Sequence, residues 1–238
     1  MGKLIAVYGQ AGAGKTTFAY SLADRLATGK ALVLIVHTDF TKPVLNIFAP
    51  RIGKEASLGR LLMTGDYAHI EKTYISYPKN RKVFLSGIVG TENYESYPEI
   101  SPIEAKKYYN TVTETFDFVI VDCTDSLHDT LALAAIGRAD KVINLLTPDA
   151  KGIVFKTSYD KLIDKICKGK TLYAAALAKD YSNVKQVEQL LGLNFAAKIP
   201  YSTEADFKAM CGEPVKGCSS REGAKYENAV RDICRMVA

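Results

Sequence analysis

The chain has 238 residues, enough for one sizeable α/β domain and short for two. Hydrophobic residues make up 47% and charged residues 24%, an ordinary globular balance that argues against disordered and fibrous classes. A net charge of +5, from 31 basic and 26 acidic residues without long runs of either sign, does not by itself ask for a nucleic acid or an anionic membrane. No apolar run reaches the roughly 18–20 residues needed to span a bilayer. The N-terminus has no signal-peptide core. Cys123, Cys167, Cys211, Cys218 and Cys234 are scattered without a Cys-x-x-Cys pair, which fits a reducing cytoplasm rather than a disulfide framework or zinc site.

In chain order, short β-branched apolar runs at residues 4–8, 31–36, 83–85, 118–121, 141–145, 172–176 and 196–199 read as strands. Several are apolar throughout, as suits parallel strands buried on both faces. After the first strand, Phe18, Leu22 and Leu26 recur every four residues and predict a helix packed on the sheet. Residues 153–166, 184–191 and 223–237 are further helix candidates. In the last of these, Tyr226, Val230, Ile233 and Val237 follow a 4-3-4 spacing. The alternation predicts βαβ crossovers and a doubly wound, mainly parallel sheet in a single domain over residues 1–238. Residues 74–102, rich in Tyr, Pro, Gly, Ser and Asn, read as a strand within long loops, followed by another helix.

Between the first strand and its helix stand Gly9, Gln10, Ala11, Gly12, Ala13, Gly14, Lys15 and Thr16, a full match to G-x-x-x-x-G-K-[S/T], followed by Thr17. In a strand–loop–helix setting this is a phosphate-binding loop. Gly12 and Gly14 permit a close backbone approach, and backbone N–H groups at the helix N-terminus converge on phosphate oxygens. The motif predicts that Lys15 reaches the β- and γ-phosphates and Thr16 ligates Mg²⁺. Asp122, ending the apolar run Phe118-Val-Ile-Val, is costly to bury without a partner; a water-mediated role at Mg²⁺ supplies one.

The order of these elements resembles the MinD/ParA branch of P-loop ATPases, which includes the pilus-assembly proteins of the CpaE/TadZ type and the bacterial tyrosine kinases. The likeness continues through His37-Thr-Asp39, Phe40-Thr-Lys-Pro-Val-Leu, residues 139–148, Ala197-Lys-Ile-Pro200 and Gly212-Glu-Pro-Val215. It implies a P-loop NTPase fold, a sheet of seven or eight strands between helices, with ATP and Mg²⁺ as ligands. It also implies that Asp39 approaches the attacking water and Mg²⁺, and that adenine sits between Lys179–Tyr181 and Pro200–Tyr201. Tyr181 and Tyr201 would pack against the base there, but half-buried surface tyrosines are the preferred reading of both.

Three departures accompany the likeness. Gln10 stands where the family carries a lysine that reaches the partner's phosphates across a nucleotide-sandwiched dimer, and a neutral amide lacks that charge. His37 replaces the first carboxylate of an Asp-x-Asp pair. After Asp122, the chain reads Cys-Thr-Asp125 without the usual proline-containing turn, and Asp125 is read either as a compensating carboxylate or, in preference, as a cap of the next helix.

The resemblance therefore implies a slow or conditional ATPase acting as a homodimeric, nucleotide-controlled positioning or assembly factor with a protein partner, of the pilus-assembly or partitioning kind. A tyrosine-kinase-like enzyme and a non-hydrolysing scaffold are the alternatives. DNA is not favoured as a partner: Arg231 and Arg235 share a face of the last helix, but Glu227 and Asp232 interrupt the basic surface. The sequence ends at Cys234-Arg-Met-Val-Ala238 without an added amphipathic helix, so no intrinsic membrane anchor is expected.

Overall fold

A computed structural model describes residues 1–49, 52–87, 89, 99–167 and 169–238. Eight strands form one sheet: β1 (Lys3–Gly9), β2 (Val33–His37), β3 (Ile75–Ser76), β4 (Val83–Ser86), β5 (Phe118–Asp122), β6 (Lys141–Leu146), β7 (Thr171–Ala178) and β8 (Ala197–Pro200). Their order across the sheet is β3-β4-β2-β5-β1-β6-β7-β8. Every pairing is parallel except β3 with β4. All seven strands read from the sequence are present, and the two-residue β3 adds an eighth. Residues 88 and 90–98 of the loop-rich stretch lie outside the described residues.

Among the described residues the helices are α1 (Lys15–Leu26), α2 (Leu45–Phe48), α3 (Leu58–Thr64), α4 (Pro102–Thr115), α5 (Thr130–Arg138), α6 (Ala150–Cys167), α7 (Val184–Leu191), α8 (Thr203–Met210) and α9 (Arg221–Val237). Two apolar cores cover the two faces of the sheet. The first joins Ile5, Val7, Ile35 and Ile120 to Phe18 and Leu22 of α1 and to Tyr226, Val230 and Ile233 of α9. The second joins Leu4, Ala6, Leu34 and Val119 to Tyr109 and Val112 of α4, to Leu131 and Ala135 of α5, and to Ile163 of α6. This is the period-two alternation of strands covered on both sides. Each fully buried Leu or Phe contributes about 2 kcal/mol, so burial of the α1 stripe alone fixes how the phosphate loop meets the sheet. None of the helices is long and apolar enough to cross a membrane.

The alternation also aims the polar residues. His37 continues the phase of Val33 and Ile35, and Asp122 continues that of Ile120, so both fall on the α1 side. In the β2–β5 register His37 stands directly beside Asp122, and β1 places Val7 on Asp122's other side. The chain leaves β1 through α1 for one half of the sheet and later reaches β6 on β1's other flank. The crevice beyond the carboxyl ends of the central strands is where open α/β sheets take ligands.

Candidate nucleotide site

The turn from β1 into α1 depends on glycine at each bend. Gly9 has φ 151°, Gly12 φ 75° and Gly14 φ 78°. Gly14 is the N-cap of α1 in the left-handed region and no side chain caps the helix, nor does an acidic residue occupy its first turn. The positive end of α1 is therefore left to an anion. Lys15 folds back over the loop, its Nζ donating to Gly9 O at 3.0 Å and Gln10 O at 3.1 Å.

Facing this end is a cavity of ≈ 300 Å³ lined by Gly12, Lys15, Thr16, Asp39, Asp122 and Asp125, among others. Ala11, Gly14, Thr17 and His37 also line it, so most of the loop residues singled out in the sequence converge here. At its base Thr16 Oγ1 donates to Asp122 Oδ2 at 2.7 Å. Among the described residues no three His, Cys, Asp or Glu side chains gather as a free-standing metal site. Mg²⁺ does not need one: it keeps several waters and is held by one or two protein oxygens together with phosphates. Thr16 and Asp122 are oxygen donors of that kind beside an anion-seeking helix end, and they fit the ion.

Asp39 reaches the cavity, but its Oδ1 accepts from Thr41 N at 2.9 Å, Thr41 Oγ1 at 2.7 Å and Lys42 N at 3.0 Å. That oxygen organises the loop after β2; only the other is uncommitted. Thr38 ties the same loop to the one after β5, its Oγ1 accepting from Thr124 N at 2.9 Å.

Gln10 turns away from the cavity. Its Nε2 donates to Thr147 Oγ1 at 2.6 Å, its Oε1 accepts from Thr147 N at 3.3 Å, and the residue is 7% exposed. The junction is tight, because a Cβ on Gly152 would lie 2.0 Å from Thr147 O and 3.0 Å from Gln10 Oε1.

At the base end the residues named from the sequence fall in two places. Pro200 lines a small pocket with Ala13, Gly14, Leu177, Ile199 and Tyr226, but its ≈ 20 Å³ admits about one water, not a purine. Lys179, Tyr181 and Tyr201 do not line it. They form a surface group, with Lys179 Nζ 5.7 Å from the Tyr181 ring centroid and 5.6 Å from that of Tyr201. Tyr181 is 81% exposed, more than the half-buried reading allowed.

Asp125 does not cap the next helix. Asp129 does, accepting from Ala132 N at 2.6 Å, while Asp125 faces the cavity. Burial pushes the Asp129 carboxyl up to about 6, against the Ala132 hydrogen bond and with help from the charge of Asp39. A carboxyl with a higher pKa folded than unfolded stabilises the fold fully below the unfolded value of 3.8. That contribution is lost as the pH rises through about 6. Asp129→Asn keeps an acceptor for Ala132 N–H and removes the ionisation. The unfolding free energy from urea titration should therefore fall by about 2 kcal/mol less between pH 4.5 and 7 in the variant.

One group escaped the sequence reading. His37 Nδ1 lies 3.1 Å from Asp122 Oδ2, and Tyr20 OH lies 2.9 Å from His37 Nε2. The available signal was spacing: Tyr20 is four residues after Thr16, hence one helical turn along the same face of α1. On α9, Arg235 Nη1 reaches Asp232 Oδ1 at 3.5 Å and Glu227 is held by Arg25 at 3.2 Å, so the basic residues there are interleaved with acidic ones.

Residues 2–154 match the family described as AAA domain. The fold is that of MinD and ParA proteins. The Pyrococcus furiosus cell division ATPase MinD is 20% identical, with 99% of this chain and 100% of that chain covered and a TM-score of 0.80. The septum site-determining protein MinD of Pyrococcus horikoshii OT3, complexed with Mg-ADP, is 19% identical over 100% and 96% of the two chains, with a TM-score of 0.79. A ParA family ATPase from Chlorobium tepidum TLS is 15% identical over 98% and 99%, with a TM-score of 0.80. At these identities the likeness is one of fold. No curated protein sequence matches the chain.

Proposed function

Because the chain belongs to the AAA domain family and has the MinD/ParA-like P-loop fold, we propose that it binds ATP with Mg²⁺ and hydrolyses it slowly or conditionally, as a nucleotide-controlled positioning or assembly factor. The observation that carries this reading is the Thr16–Asp122 contact of 2.7 Å, set at the uncapped start of α1 beside a cavity lined by the phosphate loop. The backbone N–H groups of the loop and α1 receive the phosphates, and Lys15 exchanges its two carbonyl partners for phosphate oxygens. Mg²⁺ supplies charge neutralisation at the transferred phosphoryl group. Thr16 and Asp122 would hold it, and Asp39 and Asp125 line the same cavity. The base would lie outside the small pocket at Pro200, and Tyr201, Lys179 and Tyr181 are the exposed groups that would receive it.

Slow turnover follows from Gln10. A cation donated to a phosphoryl-transfer transition state is worth about 10³–10⁵ in rate. The Gln10 amide carries no charge and is committed to Thr147. A homodimer ordered by nucleotide through the Asp39 and Asp125 loops, offering its surface to a protein partner, completes the reading. Pulling a partner through nucleotide-dependent loops requires binding, not rapid hydrolysis.

Calorimetric titration with ATP–Mg²⁺, followed by phosphate release and sedimentation in ATP and ADP, tests it. Saturable binding, turnover well below about 1 s⁻¹ and ATP-dependent dimerisation are expected, against the 1–10³ s⁻¹ common among enzymes. Absence of binding overturns the reading; turnover in the common range overturns its slow part.

A further inference from the structure

Thr16, Asp122, His37 and Tyr20 form one hydrogen-bonded line, and its last two members have no place in the binding scheme above. His37 is 3% exposed, Asp122 6% and Tyr20 1%. The direction of each bond can be assigned. Burial, reinforced by the Asp122 charge, pushes the Tyr20 phenol well above its usual pKa, so Tyr20 keeps its proton. A carboxylate only accepts, so His37 presents its Nδ1 hydrogen to Asp122 Oδ2 at 3.1 Å, and in the neutral imidazole Nε2 is left to accept from Tyr20 OH at 2.9 Å. Thr16 Oγ1 donates to the same oxygen from α1. Both donors use Oδ2, and neither occupies Oδ1.

The anchor is rigid. The Tyr20 ring stacks on Phe48 with centroids 3.7 Å apart and planes at 11°, and it meets Tyr77 at 5.1 Å. Tyr77 OH in turn donates to Gly212 O at 2.7 Å. A carboxylate at position 37, which the family resemblance would place there, would repel Asp122 at this distance within a buried site. The imidazole instead donates to it.

We propose that His37, set in its tautomer by Tyr20, is a positioning residue that fixes Asp122 and through it Thr16 for Mg²⁺. This rests on the nucleotide reading above. Neither His37 nor Tyr20 is a ligand; they act by holding the carboxylate in one orientation, as hydrogen-bonded supports of metal ligands do.

The test measures affinity for a non-hydrolysable ATP analogue by calorimetry, once with Mg²⁺ and once with EDTA. The proteins are the parent, Tyr20→Phe, His37→Leu and His37→Asn. Tyr20→Phe retains the ring stack, and Asn retains an N–H donor near the Nδ1 position. The gain in affinity from Mg²⁺ should fall about 10-fold in Tyr20→Phe and His37→Leu, at the lower end of what loss of such supports costs. Affinity in EDTA should stay within about twofold of the parent, and His37→Asn should recover most of the gain. Equal losses with Mg²⁺ and EDTA would overturn the proposal in favour of plain packing, and an unchanged gain would overturn it outright. A parent that binds the analogue without any gain from Mg²⁺ overturns this inference and the Mg²⁺ role of Thr16 and Asp122, and leaves nucleotide binding standing. A parent that binds under neither condition overturns the nucleotide reading and this inference together.

Discussion

Lys15→Ala should weaken ATP–Mg²⁺ binding by about 100-fold or more, because it leaves phosphate charge facing the loop without its cation. Removing one partner of a desolvated, hydrogen-bonded charge pair costs about 2–5 kcal/mol, and each 1.4 kcal/mol is tenfold in affinity. The unliganded fold loses less. Among the described residues Lys15 Nζ is bonded only to two backbone carbonyls, Gly9 O and Gln10 O, and both lie on a loop whose shape is set by glycine dihedrals. Bonds from a charged donor contribute about 1.5–3 kcal/mol each when desolvated, and less on this part-exposed loop, where water can take the ammonium's place. Calorimetry paired with a thermal melt separates the effects: affinity collapses while the melting temperature moves by a few degrees. Affinity within about threefold of the parent would remove Lys15 from the phosphate site.

A large loss of stability is expected at Gly9→Ala. A Cβ there would lie 2.2 Å from the Leu145 carbonyl oxygen, at a φ of 151° that side chains rarely adopt. The clash is with backbone of β6, which is paired to β1 and cannot yield without opening the sheet at its centre. About 3 kcal/mol of destabilisation follows from combined strain and steric displacement, or roughly 6–12 °C in melting temperature for a domain of this size. Gly12→Ala is the control. Its φ of 75° is also left-handed, but nothing lies within 4 Å of the added carbon. It should cost about 1 kcal/mol.

The contrast between these glycines also marks how far the sequence could be read. That Gly9, Gly12 and Gly14 shape a phosphate loop is written in the motif and its flanking strand and helix. The strand series was legible because buried parallel strands are continuous apolar runs. α4, α5 and α8 were placed loosely or not at all, since their periodicity is short or smothered by alanine and leucine. Their caps were the better signal. Ser101 accepts from Glu104 N with Pro102 following, Asp129 accepts from Ala132 N, and Ser202 accepts from Ala205 N. Two-residue β3 has no sequence pattern at all; its pairing to β4 is a tertiary event.

Within the site, what the motif names converges, and what depends on register does not announce itself. His37 was legible as a departure from a carboxylate, yet its partner Tyr20 becomes visible only when the helical turn from Thr16 is combined with the β2–β5 register. Gln10 was likewise read by what it lacks. Its commitment to Thr147, which lies 137 residues away in sequence, arises from the packing of α6 against the phosphate loop.

The two ends of the sheet bear on how copies of this chain can associate. One border among the described residues is β3, with two residues; the other is β8, with four residues ending in Pro200. Neither offers a run of free N–H and C=O groups long enough to template a further strand, and proline removes a donor at the second. Continuation of the sheet from one molecule into the next is therefore closed off at both borders. Under the nucleotide reading proposed above, an ordered array would be built through helices and loops, whose contacts a nucleotide could make and unmake, rather than through a backbone ladder.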